Sequence, residues 1–466
     1  MSEFLRYVLW ELRRYFVLAV LAGVLALGGF LLYRFWHQRK FGEDKRIPWK
    51  RVLLSVLFAG YLAMVFFVTN FRAAGMGRQV NLHLFRAWRE ALNHFSQQRW
   101  LNVLLNIAMF GPFGFLLPLF GRKFQKWYVT IPAGFGFSLC LEVLQYLFAR
   151  GIFDVDDLFC NTLGGTIGFF GAMVLLSIPG RQWRKFSIHG CMVLASFGAV
   201  GAVFLGYAAQ EFGNLPEAPA YRVNTRGTEW NIACEMPDVG TILPAYQTNT
   251  RTIEDCDSFA ERFKGIIRTE FDDISYYQEA AYYMDHGNGD GAHFLFVRYL
   301  DQGWEYTAIY DTAPEWMDAD RETIENVLKQ YPLFIPETAE FTVEGDGWHQ
   351  FRVSLYSDGA AVYDGVLRVR IGADGLIREI DNRLLSYDCY RDVAVISPQE
   401  ALEQLQAGKF QDEGYFEHSN PRVITVLSCA LEYRVDTKGY YQPVYVFAVA
   451  SPEGSYRDSL LIPAME

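Results

Sequence analysis

A chain of 466 residues is too long for one ordinary domain, and an apolar fraction of 51% with 16% aromatics is high for a wholly soluble protein. Residues 1–209 carry 22 Lys/Arg against 9 Asp/Glu, a charge of +13, and residues 210–466 carry 20 against 44, a charge of −24, which together make the overall −11. The net −24 of the acidic half argues against nucleic acid as a partner, and the sharp break marks a passage from bilayer with basic loops to water.

Six apolar runs come first: Tyr15–Tyr33, Val52–Asn70, Leu101–Phe120, Trp127–Phe148, Leu158–Ile178 and Ser187–Ala209. Each is long enough to cross about 30 Å of hydrocarbon as a helix, the conformation that satisfies its own backbone in lipid. The first run is too long for a cleaved signal peptide and has no small-x-small cleavage site. Basic residues orient the bundle. The first loop carries seven Lys/Arg, the third Arg122, Lys123 and Lys126, and the fifth Arg181, Arg184 and Lys185, so these loops are expected in the cytoplasm. The second and fourth loops, both termini and everything after Ala209 then fall outside. Arg72, Arg78, Arg86, Arg89 and Arg99 in the second loop, and Arg6, Arg13 and Arg14 at the N-terminus, run against that orientation. Leu82–Phe95 has apolar residues at helical spacing and is expected to lie in the membrane interface.

Polar groups inside apolar helices are costly and mark function by default. The third run carries Asn102 and Asn106 one turn apart, followed by Phe110, Gly111, Pro112, Phe113 and Gly114, where a kink is expected. The fourth carries Glu142 and Gln145 on one face. A short loop with Arg150, Asp154, Asp156 and Asp157 leads into the fifth, which holds Asn161, Gly164, Gly165 and Gly168. Gly164 and Gly168 are spaced to admit a neighbouring backbone. Asn106, Glu142 and Asn161 each fall about 6–9 Å below the outer end of their helix, so a polar pocket is expected in the outer leaflet. A pocket of this acidic character suits a cation, a basic head group or a protonatable relay, with Arg150 placed to engage a phosphate from the rim. Helix-to-helix hydrogen bonding alone would need only one or two such residues.

These residues carry a resemblance. The order Asn106-Ile-Ala-Met-Phe110-Gly-Pro112-Phe-Gly114, Glu142-x-x-Gln145, Arg150-Gly-Ile-Phe-Asp154-Val-Asp156-Asp157 and Asn161-Thr-Leu-Gly164-Gly165 is similar to that of the VanZ-like family, over roughly residues 50–180. The family takes its name from a protein associated with resistance to teicoplanin. The resemblance implies a cell-envelope membrane protein and no particular reaction. The preceding helix and the long acidic domain are departures from the family's pattern.

Residues 211–219, with Gly213, Pro216 and Pro219, read as a linker. Beyond it two extracytoplasmic α+β lobes are expected, 220–335 and 336–466. Ile274–Met284 and Ala292–Tyr310 read as strands around the loop Asp285–Gly291, a plain turn because His286 stands where a calcium loop needs its first carboxylate. Asp318–Tyr331 reads as helix, and Phe341–Cys389 as strands with Asp-Gly turns. Ser397-Pro-Gln-Glu400 is a capping box opening another helix, and strands follow near Arg422–Asp436 and Gln442–Ala450. The order of these last elements resembles PepSY-like domains and the YycI/YycH external regulators, which implies a binding or regulatory module.

Of seven cysteines, Cys140, Cys160 and Cys191 lie in apolar runs, while Cys234, Cys256, Cys389 and Cys429 lie in the acidic half, enough for two disulfides. Three pairings exist, and proximity in sequence favours Cys234–Cys256 with Cys389–Cys429, with four unpaired thiols as the alternative. No zinc-type spacing, nucleophile elbow or phosphate loop is present, and no cofactor is expected. The expected whole is an α-helical polytopic membrane bundle of about six transmembrane helices plus an extracytoplasmic α+β domain, in the plasma membrane. Its expected role is a non-enzymatic binding or accessory factor, linked to glycopeptide-type resistance or cell-wall lipid handling. Its partners would be the bilayer, and a phosphate-bearing envelope lipid or a cell-wall regulatory protein. The alternatives are an intramembrane enzyme using Glu142 and Asp157 as acid and base, and a small transporter.

Overall fold

The computed structural model describes residues 49–466 except 72–77, 278, 288–290, 311–314, 359–360, 413–414, 420, 453 and 455, and before Trp49 only positions 24, 27–33, 35, 36 and 39. The first apolar run and the basic loop after it therefore lie mostly outside the described residues. Five described helices are long and apolar enough to span a membrane. They are α1 (Trp49–Phe71), α3 (Gln97–Leu116, tightening to a 3-10 turn over Leu117–Phe120), α4 (Trp127–Leu147), α5 (Val155–Ser177) and α6 (Trp183–Ala209). A short helix α2 (Arg86–His94) stands between α1 and α3.

Helix α3 runs through Pro112, where a kink was expected, and changes its winding only at Leu117. Its closeness to α5 follows from the absence of side chains at three positions. A Cβ on Gly164 would stand 1.8 Å from the Ile107 carbonyl oxygen, one on Gly168 1.9 Å from that of Gly111, and one on Gly114 1.8 Å from that of Gly165. The two backbones touch, and no residue larger than glycine fits between them. On the other side of α3, Phe110, Phe113 and Leu117 pack with Tyr61 and Val65 of α1 and Leu141 of α4. Phe113 stacks on Phe137 at 5.6 Å, and Tyr61 donates to the Met109 carbonyl at 2.8 Å. The short parallel strands β1 (Gln79–Asn81) and β2 (Ile152–Asp154) pair in the register Gln79–Ile152, Val80–Phe153, Asn81–Asp154, joining the second and fourth loops.

Residues 211–466 form a second compact unit built on a 13-stranded sheet. Its strands are β3 (Glu229–Ile232), β4 (Thr241–Thr248), β5 (Asp273–Tyr276), β6 (Ala280–Asp285), β7 (Ala292–Arg298), β8 (Trp304–Ile309), β9 (Glu340–Val343), β10 (Trp348–Ser357), β11 (Val362–Ile371), β12 (Ile377–Val395), β13 (Val423–Val435), β14 (Tyr440–Ala450) and β15 (Arg457–Pro463). Helices α7 (Ile253–Ile267), α8 (Arg321–Leu328), α9 (Pro398–Gln406) and α10 (Tyr415–Ser419) accompany them. The main path runs β3-β13-β14-β4-β12-β8-β7-β6-β5, with β15 beside β14 and β11, β10 and β9 building outward from β12.

Two cores lie against this sheet. One gathers Phe259 and Phe263 of α7, Trp304, Tyr306, Ile324, Phe351, Leu367 and Ile380. The other gathers Val223, Ala245, Val393, Val395, Leu402, Leu405, Phe416, Ile424, Phe447 and Ile462. Strand β12 serves both, with Ile377, Ile380 and Leu384 in the first and Val393 and Val395 in the second. The division between cores thus falls inside β12, and residues 340–384 pack with the earlier segment. Residues 211–219, expected as a linker, are tied down: Arg391 donates to both carboxylate oxygens of Glu211 at 2.8 and 2.9 Å, and the Gly213 amide donates to Asp436 at 2.6 Å.

All seven cysteines are free thiols, and the four of the acidic half lie in different surroundings. Cys256 is fully buried in the first core, Cys234 and Cys429 pack on the second, and Cys389 sits exposed on β12 opposite Tyr246. Neither Cys234–Cys256 nor Cys389–Cys429 is a neighbouring pair; sequence distance misled because the sheet brings β3 and β13 together across nearly 200 residues.

Candidate functional site

The start of α5 organises the polar residues of the bundle. Asp154 caps it, its Oδ1 accepting from the Asp156 amide at 2.8 Å and its Oδ2 from Asn81 Nδ2 at 3.0 Å. Burial holds the Asp154 carboxyl above its usual range, opposed by these two donors. The Asp154 amide donates to Glu142 Oε2 at 3.1 Å, so Glu142, itself 3% exposed, ties the end of α4 to the start of α5. Asp156, 1% exposed, accepts from the amides of Phe85 and Ala87, and so holds the left-handed Phe85 (φ 67°) and the first turn of α2. A carboxylate placed on the free N–H groups of a helix start is favourable both as hydrogen-bond acceptor and against the helix dipole.

Asp157 points to α3 and accepts from Asn106 Nδ2. One turn along α5, Asn161 donates to Ser138 Oγ of α4 at 2.9 Å, while its own Oδ1 is buried with no hydrogen-bond partner among the described residues. Gln145 donates to the Thr69 carbonyl of α1 at 2.8 Å. Arg150 is exposed on the loop, its amide closing the end of α4 on the Gln145 carbonyl at 2.9 Å.

A cavity of about 120 Å³ opens beside α3 and α5, lined among others by Glu90, Arg99, Asn102, Asn106, Asp156, Asp157 and Cys160. Of the nine candidate residues, Asn102, Asn106, Asp156 and Asp157 thus share one hollow. Glu142, Asp154, Gln145, Arg150 and Asn161 do not line it; the first two brace its α5 wall and the others serve other contacts. Glu90 accepts from Arg86 at 2.8 Å and from Arg99 at 2.9 Å, so the cavity wall carries a tethered cation among three carboxylates. The hollow has room for several waters or one small charged group. With Asn102 exposed at its mouth, it offers hydrogen-bond donors, acceptors and negative charge in one place.

The sequence pattern did not place Asn81, Glu90, Arg99, Ser138 or Cys160 at the site. Ser138 stands four residues before Glu142 on the same face of α4, a signal that helical spacing would have shown. Glu90 and Arg99 are nine apart and in different helices, and only their salt bridge associates them.

Five described helices apolar enough to span a membrane, with buried Asn70, Glu142, Asp156 and Asn161 among them, followed by a sheet-rich unit, define a polytopic membrane protein with an appended α+β domain. Within it residues 53–176, from α1 through α5, match the VanZ/LLP1 family model, so this segment is VanZ-like, as its motifs suggested. No curated protein matches the chain.

Proposed function

We propose that this is a non-enzymatic binding factor of the cell envelope whose outer-leaflet cavity holds a small cationic or hydrogen-bond-rich group. That group would be the amine or polar head of an envelope lipid or cell-wall intermediate, and its capture would bear on glycopeptide-type resistance. The observation that supports this most is the joining of Asn106 and Asp157 on the wall of a hollow that Asn102, Asp156 and Arg99 also line. Glu142 and Asp157 are held by different partners, Asp154 and Asn106, which favours binding over an acid/base pair working on one bond. The acidic residues after 210 act outside the cell as a binding or regulatory module, in keeping with the basic loops on the opposite side.

The test is drug susceptibility of a deletion strain carrying the full chain or its variants. Asp157→Asn and Asn106→Ala should each lose at least about fourfold in the inhibitory concentration of teicoplanin, with protein levels unchanged. Gln145→Ala, which touches α1 and not the cavity, should stay close to the parent. Full resistance from both cavity variants rejects the reading. Turnover of a labelled lipid intermediate by the purified protein, lost in Glu142→Gln and Asp157→Asn alike, would replace it with the enzyme.

A further inference from the structure

Strand β3 is an edge strand that runs parallel to β13 in the register Glu229–Val423 to Ile232–Val426. The Ala233 amide carries the ladder one step further, donating to the Val426 carbonyl at 2.9 Å. Strand β13 then has an irregularity: against β14, Val426 pairs with Val449 and Ser428 with Ala448, which leaves Leu427 as an extra residue. One inserted residue moves the neighbour of Cys234 from Ser428 to Cys429. The Cys234 and Cys429 thiols lie close enough to act on each other electrostatically, and both side chains pack on the second core. Neighbouring strands stand about 4.8 Å apart, inside the roughly 4.4–6.8 Å between Cα atoms that a disulfide requires.

We infer that Cys234 and Cys429, free thiols in this structure, are a disulfide-forming pair, and that their oxidation staples the edge strand β3 to β13. Oxidised glutathione or any small disulfide suffices as oxidant. The Cys234 thiolate attacks one glutathione sulfur and releases one glutathione thiolate. The Cys429 thiolate then attacks the Cys234 sulfur of the mixed disulfide and releases the second. Two cysteine thiols lose two electrons and two protons, and one glutathione disulfide becomes two thiols. Burial raises both thiols, Cys429 to about 11, so the reaction is slow at neutral pH and quickens as the pH rises. The bond closes a long loop from Cys234 to Cys429, and long loops gain most from closure because the unfolded chain loses most freedom.

The test is full-length protein in detergent, incubated with oxidised glutathione at mildly alkaline pH, alkylated and mapped by mass spectrometry without reduction. A peptide pair joined through Cys234 and Cys429 is expected, with a rise of about 5 °C or more in the melting midpoint of the sheet unit that dithiothreitol reverses. Cys234→Ser and Cys429→Ser should each abolish both effects, and Cys389→Ser should leave both. Cys234 carrying glutathione beside a free Cys429, or joined to Cys256 or Cys389, overturns the pairing. The crosslink without the rise overturns the staple.

Discussion

Asp156 carries more of the local structure than its place in an acidic loop suggests. Its carboxylate is nearly inaccessible and satisfies two backbone amides, at Phe85 and Ala87, that belong to a different element. Replacing it with alanine strands both donors, and Asp156→Ala is expected to cost roughly 1–3 kcal/mol, read as a lower melting midpoint of the bundle in detergent. Glu142→Gln should cost less, because an amide oxygen still accepts from Asp154. In the sheet unit, His293 is 9% exposed and its Nδ1 lies 2.9 Å from the Tyr306 hydroxyl. Burial holds its pKa below the ordinary value, so the native ring takes up its proton at a lower pH than the unfolded one, which does so near 6.5. This contribution is complete above that pH and is lost as the pH falls through it. Thermal melts between pH 7 and pH 5 should show a smaller loss for His293→Gln than for the parent.

The elements depend on a few positions that spacing reveals and several that it does not. Gly164 and Gly168, a helical turn apart, were readable as a place of close approach, but the partner was not: the sequence does not say that Ile107 and Gly111 supply it. Gly164→Leu forces α3 and α5 apart and should cost at least about 1–3 kcal/mol, whereas Gly136→Ala, where a Cβ meets nothing within 4 Å, should be close to neutral in the same melt. The capping box at Ser397 was legible because Ser-x-x-Glu before an apolar run is a local pattern. It is present, with the Glu400 amide on Ser397 Oγ at 3.1 Å and the Ser397 amide on Glu400 Oε2 at 2.9 Å. Ser397→Ala should lower stability by about 1 kcal/mol in denaturant unfolding. The equivalent box at Thr252 and Asp255 went unread because aspartate replaces the usual longer acid at its third position. The aromatic segments Ile274–Met284 and Ala292–Tyr310 each turned out to be two strands, divided after Tyr276 and after Arg298, and neither break carries the glycine cluster that advertises a hairpin.

At the scale of the molecule, Asp436 shows how the sheet unit is closed. Fully buried in the turn between β13 and β14, it accepts from the amides of Gly213, Lys438 and Tyr440 and from the Gln442 side chain. It thereby binds the first residues of the unit to nearly its last strands. Asp436→Ala takes away an acceptor shared by four donors and is expected to destabilise the unit by about 3 kcal/mol, measured by urea unfolding. The sequence by itself determined the two environments, the apolar spans, the VanZ-like motif order and the local caps. These depend on composition and on contacts between residues a few positions apart, which helical or strand period makes visible. Only the tertiary structure decided which carboxylates share a hollow, which cysteines are neighbours, that β12 serves two cores and that residues 211–219 are fastened to the sheet. Each of these joins residues tens to hundreds of positions apart, and no local period encodes which distant strand or helix a given side chain will meet.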